Sequence, residues 1–439
     1  MSGAVEARKL LEDISMPTEP LKEITENGLA GIYHAGRIKR LWVDSPKHGY
    51  PFLSSTDILQ ADLSELRNIS KISVDENPQL IIQKDWTLIT RSGSIGKTAY
   101  ARAEMNGMAC TEDVLRVVPD DQKVLPGYLY TYLSSKFGMP LVTSGTYGAI
   151  IQHIEPHHIA DIPVPRITSE IETKIHNLIQ SAADLRSEAN RKRQEAINKV
   201  EQELNWNSKE LYGLSNIVDS NQLIRRFDGF YHSHSIASAR NTLASHPDSI
   251  LLEKVVKEVF EPNRGARIKV KDLDYGVPFL SSSEVFRLDP TGEYLVSKNM
   301  PHFERLLIYE NDLLLPRSGQ VGGIIGRAVL PLATNYGHAA TEHLVRIRCS
   351  SREDAWLLWA IFASQPGYYA AIGTAYGTSI PSLDCELLSQ LQIPWIQGEF
   401  REEIVELVSQ KITKLTEAIH KERTAIQMLE NHIESLEAA

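Results

Sequence analysis

The segment Ser92-Gly-Ser-Ile-Gly-Lys-Thr98 has the residue types of a phosphate-cradling loop. Such a loop needs Gly, four residues, then Gly-Lys-Ser/Thr, so that backbone N–H groups surround the phosphates and the Lys reaches them. The position that requires Gly is Arg91, and the related stretch Arg317-Ser-Gly-Gln-Val-Gly-Gly323 lacks the Lys. The shared Arg-Ser-Gly-x-x-Gly pattern instead reads as a tight turn after a strand. His153, His157 and His158 form a small imidazole cluster, but the matching stretch Ser379–Leu383 has no His. Their spacing makes no zinc ligand set, so a solvated loop is the expectation, as it is for Tyr231-His-Ser-His234. Glu112 and Glu342 recur in Thr-Glu pairs and have the chemistry of a general acid or base. A repeated Glu more often partners a repeated Arg, and Arg91 and Arg317 are the expected partners. There is no Gly-x-Ser-x-Gly elbow, no His-Glu-x-x-His and no Asn/Asp-Pro-Pro-Tyr. No enzyme site is expected in the chain, nor any metal or bound cofactor.

The chain has 439 residues, 42% hydrophobic and 23% charged, a globular composition long enough for two to four domains. Cys110, Cys349 and Cys385 form neither a metal-ligand spacing nor a disulfide framework. No apolar run approaches the roughly 20 residues of a membrane span. The N-terminus turns charged too early for a secretory signal. A cytoplasmic, reduced protein is expected. The net charge of −10 argues against a generally basic nucleic-acid binder but says nothing of local patches, where phosphate contacts need clustered Lys and Arg.

The chain says much the same thing twice. Pro51-Phe-Leu-Ser-Ser55 returns as Pro278-Phe-Leu-Ser-Ser282, and Arg37-Ile-Lys39 as Arg267-Ile-Lys269. Asp85–Gly93 is answered by Asp312–Gly319, and Thr111-Glu112 with Arg116 by Thr341-Glu342 with Arg346. Gly145-Thr-Tyr-Gly148 matches Gly373-Thr-Ala-Tyr-Gly377, and Ile162-Pro163 matches Ile393-Pro394. The offset stays between 226 and 231 throughout. That period is too long for a solenoid, so each copy is expected to be a domain with its own core. Short runs such as Gln79–Gln83, Thr87–Thr90 and Leu115–Val118 read as strands, and Gly127–Phe137 and Arg352–Ser364 as helices.

After each copy comes a stretch without Pro or Gly, Glu170 to about Leu204 and Glu399 to Ala439. In the second, Val408, Ile412, Leu415, Ile419, Ile426, Leu429, Ile433 and Leu436 alternate at coiled-coil spacing, with a polar break at Glu422. In the first, the seam reads Ile175, Leu178, Ala182, Leu185, Ala189, then Ile197, Val200 and Leu204. These helices pair either within one chain or between two copies, and their equivalent places in a repeated chain favour pairing with each other. The fold class is thus α+β: two tandem-duplicated mixed domains separated by two long antiparallel coiled-coil helices. The spans are 1–166 for the first mixed domain, 167–210 for a helical spacer, 211–397 for the second domain and 398–439 for the C-terminal spacer. Two related, diverged faces held apart suit a target in two parts, such as two half-sites on duplex DNA.

These features resemble the specificity subunits of type I restriction–modification systems. The resemblance is carried by the doubled Pro-Phe-Leu-Ser-Ser, Arg-Ser-Gly and Tyr-Gly segments, by Ile162-Pro163-Val-Pro165 leading into a long helix, and by Arg226-Phe-Asp-Gly-Phe-Tyr231. It implies two target recognition domains reading a split double-stranded DNA sequence. It also implies helical regions that dock two methyltransferase subunits, which carry S-adenosylmethionine and methylate adenine, and separate motor-nuclease subunits that cut unmodified DNA. The first copy lacks the Arg-x-Asp-x-x-Tyr entry. The expected DNA-binding residues are Arg37, Lys39, Arg91, Lys97, Tyr147, Gln152 and His153 in the first domain. In the second they are Arg264, Arg267, Lys269, Arg317, Tyr376 and Ser379. Residues common to both copies are the natural structural ones, whereas Gln152 against Ser379 differs and suits base discrimination. A type IIB-like system and a protein-binding coiled-coil scaffold are the alternatives.

Overall fold

The computed structural model describes residues 2–13, 16–144, 153–207, 216–220, 223, 226–377 and 379–437. Contacts divide the chain into two units, Met1–Glu188 with Glu417–Ala439, and Ala189–Thr416.

In the first unit the strands are β1 (Thr18–Pro20), β2 (Ile32–Tyr33), β3 (Trp42–Val43), β4 (Gly49–Leu53), β5 (Asn68–Ser70), β6 (Thr87–Thr90), β7 (Thr98–Tyr100), β8 (Ala109–Cys110), β9 (Val114–Val117) and β10 (Pro163–Pro165). The helices are α1 (Ser2–Asp13), α2 (Lys71–Glu76), α3 (Pro126–Ser134), α4 (Gly138–Ser144), α5 (Pro156–Ile159) and the start of α6 (Ser169–Glu203). One antiparallel sheet runs β2-β9-β6-β7, a second runs β3-β5-β4-β8, and β1 pairs with β10. In the second sheet β4 and β8 are parallel, with Phe52 opposite Ala109 and Leu53 opposite Cys110. Strand β6, Thr-Leu-Ile-Thr, is buried at every residue, so it shows no alternation of buried and exposed positions.

The second unit continues with α7 (His234–Ser245), β11 (Ser249–Leu251), β12 (Glu258–Phe260), β13 (Lys269–Val270), β14 (Gly276–Leu280), β15 (Leu295–Ser297), β16 (Asp312–Pro316), β17 (Ala339–Ala340) and β18 (Leu344–Arg348). After these come α8 (Arg352–Ala363), α9 (Gln365–Gly373), β19 (Ala375–Tyr376), β20 (Ser382–Leu383), α10 (Cys385–Ser389), β21 (Gln392–Pro394) and α11 (Glu399–Glu437). Its sheets are β12-β18-β16, β13-β15-β14-β17, β11-β21 and β19-β20, with β14 and β17 parallel at Phe279–Ala339 and Leu280–Ala340. The four-stranded mixed sheet with its parallel pair, and β11-β21 in the place of β1-β10, repeat those of the first unit, whereas β12-β18-β16 lacks a strand in the place of β7 and β19-β20 is an addition among the described residues.

The helix corners repeat as well. Ser135 Oγ accepts from the Gly138 N–H at 3.2 Å and donates to the Tyr132 carbonyl at 2.7 Å. Ser364 Oγ accepts from the Gly367 N–H at 3.3 Å and donates to the Ile361 carbonyl at 2.5 Å. A Cβ at Gly138 would lie 2.0 Å from the Tyr132 oxygen, and one at Gly367 1.8 Å from the Ile361 oxygen. Only glycine lets the second helix of each pair turn back so closely. In the first unit α1 buries Ala4, Ala7 and Leu11, and in the second α7 buries Ile236, Ala239 and Leu243. The first unit therefore has a packing helix of its own although it lacks the Arg-x-Asp-x-x-Tyr segment.

Several expectations need correction. Gln79–Gln83 is not a strand: Pro78–Leu80 forms a single 3-10 turn, and Ile81 makes only an isolated bridge to Ala109. The buried stripe of α6 in the first unit is Ile175, Ile179, Ala182 and Arg186, while the predicted Leu178 and Leu185 are half-buried. Leu436 on α11 is 42% exposed, and Ala425 rather than Ile426 is fully buried. The physical reason lies at the polar break. Glu422 is an occupied position of the stripe, ion-paired with Arg186 and accepting a hydrogen bond from the Tyr130 hydroxyl. Choosing only apolar residues displaced two α6 positions by one, Leu178 for Ile179 and Leu185 for Arg186, while Ile175, Ala182, Ala189, Ile197, Val200 and Leu204 are buried as expected. Ile175, Ile179, Ala183, Ala425, Leu429 and Ile433 share one core cluster with Tyr128, Tyr132 and Leu133. In the second unit Lys199 pairs with Glu403 at 2.5 Å. Among the described residues no helix is long and apolar enough to cross a membrane.

Candidate nucleic-acid interface

Beneath each mixed sheet lies an arginine with no access to water. Arg116 on β9 donates to the carbonyls of Thr111 (2.9 Å), Val114 (2.6 Å), Cys110 (2.6 Å) and Leu80 (3.4 Å). Arg346 on β18 donates to those of Thr341 (2.9 Å), Leu344 (2.6 Å), Ala340 (2.8 Å) and Leu306 (3.2 Å). Both are 0% exposed. A guanidinium presents its donors in a rigid planar fork, so one side chain can tie several loop carbonyls at once. Burial pushes the Arg346 pKa down to about 10, still well above neutrality.

The carbonyl of the Thr-Glu pair is held by this arginine, and its backbone N–H closes the parallel strands. Thr111 N–H donates to the Leu53 oxygen and Thr341 N–H to the Leu280 oxygen, each at 2.9 Å. On the outer side each pair captures a second arginine. Arg40 Nη2 donates to Thr111 Oγ1 at 3.0 Å and to Glu112 Oε2 at 2.8 Å. Arg267 Nη2 donates to Thr341 Oγ1 at 3.3 Å and to Glu342 Oε2 at 3.1 Å. The same guanidinium groups lie over rings of the doubled Pro-Phe-Leu segment, Arg40 at 5.1 Å from Phe52 and Arg267 at 4.6 Å from Phe279. Burial opposes ionisation of Glu112, yet hydrogen bonds and charge from Arg40 outweigh it and hold the carboxyl below its ordinary range. Glu342 is likewise held down, with Arg267 and its own backbone N–H outweighing burial.

Each captured arginine anchors an exposed basic strap. Residues 36–43 carry Arg37, Lys39 and Arg40, and residues 262–271 carry Arg264, Arg267, Lys269 and Lys271, with no carboxylate in either. The Arg37 side chain is 85% exposed and 3.6 Å from Glu112; Lys39 and Arg264 are also exposed. The straps run into β3 and β13, where a cation meets a ring. Arg67 lies 3.9 Å over Trp42, and Lys269 lies 4.0 Å over Tyr294. Trp42 and Lys269 hold equivalent places, as do Arg67 and Tyr294, so cation and ring have exchanged positions. Phe52 N–H donates to the Arg67 oxygen at 2.8 Å and Phe279 N–H to the Tyr294 oxygen at 3.0 Å, which fixes the equivalence.

Two pairings read from the sequence are thereby corrected. The counterpart of Arg267 is Arg40, not Arg37: the structural offset is the 227 of Pro51 and Pro278, and the Arg-Ile-Lys match lies three residues out of frame. The partners of Glu112 and Glu342 are Arg40 and Arg267, not Arg91 and Arg317. Arg91 pairs with Glu155 and donates to the Ile154 carbonyl at 3.0 Å. Arg317 pairs with Glu261 and donates to the Tyr376 hydroxyl at 3.3 Å. Both side chains are about nine-tenths covered, at 12% and 11% exposure, and close the turn after β6 or β16. Each turn arginine reaches a carboxylate more than fifty residues away in the chain, which local spacing does not reveal.

The remaining candidates are scattered. Lys97 is exposed on the turn before β7, His153 is half-buried, and Tyr376 is exposed on β19. Ser379 is exposed, and its carbonyl accepts from Gln320 Nε2 at 2.9 Å. Tyr147 and Gln152 lie outside the described residues. Sequence reading passed over Arg40, Trp42, Arg67 and Tyr294; the constant offset from Pro51 was the signal available. Arg226 pairs with Asp228 at 2.7 Å and donates to the Ala375 carbonyl at 2.7 Å. The Arg-x-Asp-x-x-Tyr segment is thus a local knot, with Tyr231 under Arg226 and Arg240. Among the described residues no group of His, Cys, Asp and Glu is placed to hold a metal ion. His158 Nδ1 instead accepts from the Glu155 N–H at 3.1 Å.

No family model and no curated protein matches the chain. Among solved structures it is similar to the type I restriction-modification system S subunit from M. genitalium, at 11% identity over 96% of this chain and 95% of that one, with a TM-score of 0.39. It is also similar to the HsdS subunit from Thermoanaerobacter tengcongensis, at 13% identity over 94% and 95% of the chains and a TM-score of 0.29. A chain from a study of complex assembly and conformational transition of the type I R-M system matches at 13% identity over 95% and 98%, with a TM-score of 0.29.

Proposed function

We propose that this chain is the sequence-specific DNA-recognition subunit of a type I restriction–modification complex. The observation that carries the reading is the pair of basic straps. In a chain of net charge −10, two exposed segments free of carboxylates occupy equivalent places and are latched by the same Arg–Thr–Glu–Phe arrangement. Duplex DNA is a polyanion whose phosphates are held by clustered Arg and Lys, while base edges are read by polar loop side chains.

On this reading the chain is a tandem duplication, with 1–166 and 211–397 as target recognition domains, each meeting one part of a split target. The long helices, with 167–210 and 398–439 as spacers, form an antiparallel coiled coil that sets the distance between the parts. The ion pairs Arg186–Glu422 and Lys199–Glu403 support antiparallel pairing. The chemistry belongs to partners: two methyltransferase subunits that bind S-adenosylmethionine and methylate adenine, and motor-nuclease subunits that cut unmodified DNA. The acidic remainder suits a subunit that borrows positive charge from partners closing around the duplex.

Methylation sequencing of DNA from cells expressing the chain with its methyltransferase, and from cells lacking this chain, tests the proposal. A split motif carrying N6-methyladenine that disappears with the chain is the expected result. An unchanged pattern under an active methyltransferase would refute DNA recognition and favour a protein-binding scaffold.

A further inference from the structure

Each strap is held by a carboxylate, the group that a polyanion-binding surface ordinarily excludes. Glu112 and Glu342 are largely covered, with side-chain exposures of 9% and 14%; Glu342 faces Arg267, and Glu112 faces Arg40, with the exposed Arg37 farther off at 3.6 Å. Those arginines are similarly exposed, Arg40 at 34% and Arg267 at 35%. Arg40 spends only Nη2 on Thr111 and Glu112, and among the described residues its Nε and Nη1 have no protein acceptor. Arg267 uses Nη2 in the same way, with Nη1 on the Tyr294 hydroxyl at 3.2 Å. A guanidinium has five N–H donors in one plane, so fixing one edge against a carboxylate and one face against Phe52 or Phe279 determines where the other edge points.

We propose that Glu112 and Glu342 are positioning residues for bound duplex DNA, each orienting the open donor edge of Arg40 or Arg267 toward a backbone phosphate. The proposal rests on the DNA-recognition reading and adds to it a role for two acidic residues. It reverses the sign that charge counting predicts. Removing a negative charge beside a basic strap would tighten DNA by simple attraction; loss of positioning weakens it. The support is duplication of the entire arrangement: buried Arg116 or Arg346 below, Thr-Glu in the middle, and strap arginine above.

The test uses the native complex, isolated through a tag on this chain, and a randomised duplex library from which bound DNA is selected and titrated against salt. The wild-type complex selects a split motif; if it selects none, the DNA-recognition reading itself fails. Glu112→Ala and Glu342→Ala should each weaken the selected duplex about tenfold, near 1.4 kcal/mol. Each should blur selection in one half of the motif only, and lower the salt slope by about one, the loss of one phosphate contact. Arg40→Lys and Arg267→Lys keep the charge but lose the planar fork, and should fall about as far. These two decide the matter should the Ala variants unfold. Ala variants that bind as tightly as wild type or tighter, or Lys variants that retain wild-type affinity, would overturn the proposal while leaving the DNA-recognition reading intact.

Discussion

The two straps end in the same contact made from opposite parts. In the first unit the ring, Trp42, stands on β3 and the cation, Arg67, just before β5; in the second the cation, Lys269, stands on β13 and the ring, Tyr294, just before β15. The separations are nearly the same, 3.9 and 4.0 Å. The turn arginines differ in a related manner. Arg91 finds its carboxylate in Glu155, at the N-cap of α5, whereas Arg317 finds Glu261, after β12. In both cases the interaction persists while its donors move. The frame thus demands a charge–ring stack beside the strap and a neutralised arginine in the turn, and it is indifferent to which strand supplies each member. By contrast, Arg116 and Arg346 are matched bond for bond, because a buried guanidinium has no water to fall back on.

The matched part of this comparison should be the most fragile. Arg116→Met and Arg346→Met each leave buried carbonyls without a donor and should cost about 3–5 kcal/mol, as for breaking a buried charge interaction. Urea unfolding of each variant measures this, and a loss below about 1 kcal/mol in either unit would deny that the buried arginine is a shared structural centre.

A smaller effect separates the units through pH. Burial disfavours the Glu422 carboxylate, but the Arg186 charge and hydrogen bonds from Tyr130 and Arg186 outweigh it and lower its pKa. A carboxylate with a depressed folded pKa adds stability that is present above the unfolded value of about 4.3 and lost as pH falls through the folded value. Wild type should therefore exceed Glu422→Gln in stability from neutrality down to about pH 5, with the gap closing in acid. A gap that stays constant down to about pH 2 would mean that the carboxylate charge contributes nothing.

The exchanged stack predicts a compensation. Trp42→Lys and Arg67→Tyr made singly remove the cation–ring contact, and made together they transplant the second unit's version into the first. The double-mutant cycle should return a favourable coupling of about 1–2 kcal/mol, because a contact worth about 0.5–1 kcal/mol is present in both the wild type and the double variant. Strict additivity would show that the two residues are independent surface positions. The smallest effect belongs to the strap tips: Arg37→Ala or Lys39→Ala should leave stability within about 0.5 kcal/mol and lower the salt slope of DNA binding by about one. A slope unchanged in both would remove the first strap from the DNA-binding surface proposed above.

Much of the architecture was legible in the residues. The absence of Pro and Gly marked α6 and α11 to within two residues of their observed ends, because nothing in those stretches interrupts an i to i−4 ladder. Thr87–Thr90 was a strand as expected, and Arg352–Ser364 a helix apart from its final residue. The helical seam was harder, since Arg186 is buried against the largely covered Glu422 through their ion pair, a gain no hydropathy pattern records. For the site, Arg37, Lys39, Arg264, Arg267 and Lys269 lie on the exposed straps, whereas Arg91 and Arg317 are consumed in ion pairs. Arg40 was hidden by a short sequence match three residues upstream of its true register.

By itself the sequence determined the repeat, the long helices and the two carboxylate-free basic segments, because these depend on order, spacing and the local limits of the backbone. Only the tertiary structure decided which arginine is buried, which is latched and which reaches solvent. Arg116, Arg40 and Arg37 are the same residue type, and their roles diverge only through the acceptors the folded chain gives them, some near in sequence and others, Leu80 and Glu112, remote. Those acceptors are Leu80, Cys110 and Val114 for the first and Glu112 for the second, while the third extends outward at 85% exposure. The free energy of an arginine is set by what replaces its water, and that is known only once remote strands have come together.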